Sequence, residues 1–156
     1  MQAHWHKHCL IDGAVMNDLT CPLCIAENET VLWQDADCRI ILAHEANYPA
    51  LCRVIWHRHI QEMSDLTSLQ QQHMMRVVIS TESALRQLTN PVKMNLASLG
   101  NMSPHLHWHV IPRHAQDRHY PNSIWGAPSH DATTCHVIHV SDDALRQLLL
   151  RMLNHP

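Results

Sequence analysis

The residues with the densest chemical content lie in the run Pro104-His105-Leu106-His107-Trp108-His109-Val110-Ile111-Pro112. Polar and apolar residues alternate with period two, so a strand places three imidazoles on one face and Leu106, Trp108 and Val110 on the other. A rise of about 3.3 Å per residue sets neighbouring imidazoles roughly 6.6 Å apart and the outer pair roughly 13 Å apart. Metal–nitrogen bonds of about 2.0–2.1 Å cannot gather three rings so spaced, although two of them could share a metal. A row of this length suits an extended ligand, and a phosphate with its neighbouring oxygens has the right scale. Imidazole can serve there as nucleophile, base or acid near neutral pH. The same spacing recurs in His4-Trp5-His6-Lys7-His8, but Lys7 stands where a buried face needs an apolar residue. That segment reads as a tail capable of adventitious metal binding.

A second centre of chemistry is Cys21-Pro22-Leu23-Cys24. Two cysteines at this spacing are one half of a zinc site. The same four residues also fit a thiol–disulfide oxidoreductase, which requires a strand before them and a long helix after them. Ile25-Ala26-Glu27-Asn28-Glu29 and then short strand patterns follow instead. Cys9, Cys38, Cys52 and Cys135 have no partner at ligand spacing and read as free thiols. With 16 histidines and six cysteines in 156 residues, a non-enzymatic metal-binding module is a further reading. It predicts several metals per chain and no role for His107 in turnover.

The elements that must position these groups follow from the apolar pattern. Val31–Trp33, Cys38–Leu42 and Leu51–Trp56 are short apolar runs separated by turn-prone residues and predict an antiparallel meander. Thr67 and Gln70 form a capping box ahead of a long helix whose stripe is Leu69, Met74, Val78, Leu85 and Leu88, stopped by Thr89-Asn90-Pro91. Val92–Ala97 and His105–Ile111 are two more strands, flanking the loop 98–104. Ser141 caps a short C-terminal helix carrying Leu145, Leu148, Leu149 and Met152. Strands, helix, strands, helix predict an α+β fold with an antiparallel sheet, one long helix and a C-terminal helix. Trp33, Trp56 and the stripe of the long helix read as core.

Composition narrows the function classes. One domain with 46% apolar residues can bury about 70% of its chain surface, so disulfide staples are not required. Apolar runs such as Val77–Ile79 and Leu148–Leu150 are too short to span a membrane. A formal charge of −3 with 11 Lys and Arg carries no footprint for a nucleic-acid polymer. The N-terminus has no signal-peptide pattern, which points to a reducing cytoplasm. Residues 1–19 read as a loosely ordered leader and 128–156 as a C-terminal extension with a short helix.

The alternating histidines with Pro112-Arg113 after them resemble the signature of the histidine triad (HIT) family. The resemblance extends to Asn95-Leu96-Ala97-Ser98-Leu99-Gly100-Asn101, to Val54 through Ile60, to the Cys21–Cys24 start of some bacterial members and to Trp125-Gly126, covering about residues 20–127. It implies the HIT-like fold and nucleotidyl transfer on a nucleoside 5′-phosphate derivative. Adenylyl phosphoramidates, dinucleoside polyphosphates and nucleotide sugars are the substrate classes, with a slight lean to the phosphoramidate or adenylyl type. His107 would be the nucleophile, with His109 and His105 completing the catalytic set. Asn95, Gly100, Asn101 and Ser103 would bind the phosphate, and His44 takes the place near the nucleoside where relatives carry Asn or Asp. Some bacterial members complete a structural zinc site with two histidines, which maps the ligands onto Cys21, Cys24, His59 and His105. Homodimerisation, and a Trp125 segment closing over the nucleotide site or the partner, are likewise implied. A nucleotide-binding regulator with vestigial activity is the reading that keeps the fold without the turnover.

Overall fold

The computed structural model describes Asp18 and residues 20–154; the expected N-terminal tail, including its histidine run and Cys9, lies outside them. A one-turn helix α1 (Pro22–Ile25) leads into strands β1 (Thr30–Gln34), β2 (Cys38–Leu42) and β3 (Cys52–Trp56). A 3₁₀ turn at Met63–Asp65 precedes helix α2 (Ser68–Thr89), then come β4 (Lys93–Ala97), β5 (His107–Arg113) and helix α3 (Asp142–Leu153). The five strands form one antiparallel sheet in the order β1-β2-β3-β5-β4. This is the expected α+β architecture. No helix among the described residues is long and apolar enough to cross a membrane.

Local chemistry accounts for the element ends. At the β1–β2 turn, Asp35 Oδ1 accepts the N–H groups of Asp37 and Cys38, each at 2.9 Å. Its second oxygen pairs with His73 Nε2 at 2.7 Å, which ties the turn to α2. Thr67 and Gln70 close the expected capping box, satisfying two backbone donors that the first helical turn leaves over. Asn90 ends α2 in the left-handed region at φ +43°, with its N–H on Arg86 O, just before Pro91.

The strand period of two sorts the sheet into two faces. Cys38, Ile40, Leu42, Cys52, Val54, Trp56 and Val110 face α2 and α3 in the main core, with Trp33 and Met74. The helix α3 contributes Leu145, Leu148, Leu149 and Leu153 to that same core, so the C-terminal segment returns to the domain. Two residues of the expected α2 stripe depart from it: Leu69 is 78% exposed, Leu88 is also exposed, and Val77, Thr81 and Ala84 are buried instead. A helix of 22 residues is about 33 Å long against roughly 17 Å for a five-residue strand, so α2 is longer than the strands it covers.

The other face carries the chemistry. Cys21 and Leu23 pack there against Ile41 and Ile55 in a small second cluster. Arg39 holds this N-terminal turn down: Nη2 donates to Leu23 O at 2.7 Å while Nε and Nη2 clasp Glu29 at 2.6 and 2.7 Å. This clasp is buried, and it brings the Cys21–Cys24 segment over the centre of the sheet.

Candidate active site and metal centre

The expected strand of three histidines is only partly a strand. β5 begins at His107, because the chain turns sharply after Pro104: His105 N–H donates to Ser103 O and Leu106 N–H to Ile60 O, both at 2.7 Å. His105 is thereby rotated away from the other two, yet all three are buried, at 1%, 7% and 7% exposure for His105, His107 and His109.

His105 belongs to the cysteines. Its Nδ1 lies 3.5 Å from Cys21 Sγ and 3.4 Å from Cys24 Sγ, and His59 Nδ1 lies 3.3 Å from Cys24 Sγ. All four donor atoms fall within 4.8 Å of one another. A tetrahedral ion with metal–sulfur bonds of about 2.3 Å and metal–nitrogen bonds of about 2.0–2.1 Å needs S···N separations of roughly 3.5 Å, so this set could hold a metal ion without rearrangement. His105 Nε2–H donates to Trp56 O at 2.6 Å, which fixes the tautomer and leaves Nδ1 bare toward the cysteines. Two thiolates and two imidazoles in a closed shell is the donor chemistry of a structural zinc site.

His107 and His109 form a separate pair. His107 Nδ1–H donates to the backbone oxygen of His105 at 2.6 Å, so its lone pair resides on Nε2. That atom faces His109 Nε2 at 3.1 Å, and with both rings neutral His109 Nε2–H is the donor. Burial lowers the pKa of His107, against the raising influence of the His105 carbonyl, and Arg53 lowers it further. Burial, then His107, then Arg53 push His109 down to about 4. Both rings are therefore neutral at pH 7. The ring centroids lie 4.9 Å apart, closer than a straight strand rise implies, because the two side chains lean together.

These two imidazoles open into a cleft of about 440 Å³. The loop residues Gly100, Asn101 and Ser103 line it, as do Leu23, Arg53 and Trp125. Gly100 sits at φ +72°, in the region where L side chains are strained, and gives the loop its bend. Ser98 Oγ–H donates to His107 O at 2.9 Å and fastens the loop to β5. Trp125, 51% exposed, presents its ring edge-on to His109 at 5.2 Å between centroids.

The other two expected substrate residues stand elsewhere. Asn95 does not line the cleft; its Oδ1 accepts from Arg113 Nη1 at 2.7 Å. Arg113 also clasps Asp117 at 2.7 and 2.9 Å and donates to Asn122 O, so Asn95 belongs to the buried support of the segment that carries Trp125. His44 is exposed at φ +52°, with Nε2 2.6 Å from Thr30 Oγ1, in the turn that leaves β2. Cys38 and Cys52 are buried thiols, and burial raises the pKa of each strongly. Arg53 and Leu23 line the cleft in addition to the residues expected from the sequence. The one sequence signal for Arg53 is a charge inside the apolar run Leu51–Trp56.

Comparison with known proteins gives the same picture. A family model described as the HIT domain matches residues 26–116, more than half of the chain. No curated protein matches the sequence significantly. Among solved structures, a histidine triad protein from Bradyrhizobium japonicum is 28% identical with a TM-score of 0.64, covering 83% of this chain and 93% of its own. One from Marinobacter aquaeolei is 25% identical with a TM-score of 0.63, covering 83% and 92%. A zinc-bound histidine triad family protein from Mycobacterium smegmatis shares the fold at 17% identity and a TM-score of 0.60, covering 88% and 98%.

Proposed function

This chain belongs to the HIT domain family, and on that premise we propose that it is a nucleotide-binding hydrolase or transferase. It cleaves a nucleoside 5′-phosphate derivative through a covalent nucleotidyl-histidine. The observation that carries the reading is the 2.6 Å hydrogen bond from His107 Nδ1–H to His105 O, which leaves the Nε2 lone pair as nucleophile. The Nε2 lone pair forms an N–P bond to the α-phosphorus while the bond to the leaving group breaks. His109 Nε2–H, 3.1 Å from His107 Nε2, passes its hydrogen bond to a phosphate oxygen as the N–P bond forms, while an amine leaving group takes its proton from solvent water. Water then attacks the phosphorus and gives up a proton to solvent, the N–P pair returns to Nε2, and the nucleoside monophosphate departs.

The other residues take supporting roles. Gly100, Asn101 and Ser103 offer donors to the phosphate oxygens, where charge develops. His105 serves through its carbonyl, as a positioning residue for His107. Asn95 acts through Arg113, and His44 stands next in sequence to Glu45, the ion-pair partner of Arg53. Cys21, Cys24, His59 and His105 would hold a zinc ion, which would cross-link the N-terminal turn to the catalytic strand. Homodimerisation fits the outer edge of β4, which pairs with no other strand among the described residues and carries an exposed Leu96. A cytoplasmic location belongs to the same reading.

The test is nucleoside monophosphate release from a panel of adenylyl substrates by wild type and His107→Ala. Release by the wild type, its loss in the variant, and an adenylyl adduct in intact mass spectra of the wild type are the expected results. Equal background in both proteins overturns the reading in favour of a zinc-clamped binding module.

A further inference from the structure

Arg53 is an unusual residue for its position. It lies in β3, between β2 and β5, flanked by the buried Cys52 and Val54. The register sets it directly opposite His109, and Ile55 opposite His107. Directly opposed residues project from the same face of a sheet, so the guanidinium lies beside the two imidazoles and lines their cleft. Its Nη2 donates to Glu45 Oε1 at 2.9 Å, at the exposed rim. Its Nε is buried with no hydrogen-bond partner. A buried donor without a partner is costly, and a permanent charge in a central strand more so. Among the described residues lining the cleft, no other carries a fixed charge.

We propose that Arg53 is the leaving-group site: its guanidinium binds the phosphate that follows the α-phosphate, which makes nucleoside oligophosphates the substrate class. This rests on the nucleotidyl-transfer reading above and selects among its substrates. The α-phosphoryl group of a phosphoramidate brings one negative charge, whereas a pyrophosphate link brings a second phosphate that can take the donors of Arg53 left over by its ion pair with Glu45, the buried Nε among them. Guanidinium presents several donors in a plane and matches phosphate oxygens two at a time. As the His107 Nε2–P bond forms, the α–β bridging P–O bond breaks and its electron pair leaves on the bridging oxygen. Arg53 offsets the charge gathered on that departing phosphate, so no proton is needed there.

The experiment compares wild type, Arg53→Leu and Arg53→Lys on diadenosine triphosphate and adenosine 5′-phosphoramidate, and titrates each protein with AMP and ADP. The wild type is expected to bind ADP more tightly than AMP. In Arg53→Leu that preference disappears, and the kcat/KM ratio of triphosphate to phosphoramidate falls roughly 10- to 100-fold, as for the loss of one charge-assisted hydrogen bond. Arg53→Lys recovers part of both. AMP binding that survives in Arg53→Leu shows that the cleft is still folded. Equal loss on both substrates, or a wild type that does not distinguish ADP from AMP, overturns the assignment. Wild type without turnover of either substrate ends the nucleotidyl-transfer reading, and the two titrations then still decide whether Arg53 holds a second phosphate.

Discussion

His105 and His107 are coupled back to back: the carbonyl of His105 takes the Nδ1 proton of His107 at 2.6 Å, while the His105 ring stands 3.4 Å from Cys24 Sγ. One residue thus belongs to the metal-binding cluster through its side chain and orients the nucleophile through its backbone. The short turn at Ser103–His105 makes this possible, since it separates ring and carbonyl into different environments.

Loss of the metal should therefore reach the chemistry. Cys24→Ser, or prolonged chelation, is expected to lower the melting temperature and to reduce kcat about 10- to 100-fold, the usual consequence of disturbing a group that orients a reactive side chain. KM should change less, because of the residues lining the cleft only Leu23 belongs to the cysteine turn. Metal-free protein with full kcat would break the proposed coupling.

The buried ion pair behind Asn95 gives a second expectation. Asp117 accepts two hydrogen bonds from Arg113 and three more from the backbone N–H groups of His114, His119 and Tyr120. Asp117→Ala leaves a buried guanidinium without its counter-charge, which costs about 3–5 kcal/mol. Urea denaturation should show the loss directly, and a midpoint within error of wild type would contradict it.

Much of this arrangement is legible in the sequence where one period or one motif decides the outcome. Alternation fixes the face that His107 and His109 share but not the turn that takes His105 out of the strand, and Thr67 with Gln70 marks the start of α2 to the residue. Cys21 and Cys24 find His59 and His105 only through a resemblance, because ligands 35 and more residues apart leave no local signature. Arg53 escapes for the same reason: its meaning depends on facing His109, a pairing between strands separated by the whole of α2 and β4. Asn95 illustrates the converse, since its residue type suits a phosphate donor while β4 delivers its oxygen to Arg113.

Acid should weaken the fold through His109. Its pKa falls from 6.5 to about 4 on folding, so between those values the unfolded chain binds a proton that the native chain refuses. Stability is complete above pH 6.5 and declines as the pH drops toward 4, by on the order of 3 kcal/mol for this group. His109→Gln has no such proton to take up. The difference in unfolding free energy between the two proteins should shift by that amount from pH 7 to pH 4, with metal release common to both, and a constant difference would exclude His109 as the source.

Gly100 supplies the last test, because backbone and space make different demands there. A Cβ added at Gly100 would meet Ser103 O at 3.6 Å, an ordinary contact, so room is not the constraint. The constraint is φ +72°, which costs an L residue with a Cβ about 1–2 kcal/mol. Gly100→Ala must either bear that strain or let the loop relax out of the cleft. Asparagine tolerates the left-handed region better. Gly100→Ala should therefore raise KM and lower stability by about 1 kcal/mol, while Gly100→Asn retains most of both. Equal damage from the two substitutions would point to the missing side-chain volume, and not the backbone, as what the loop requires.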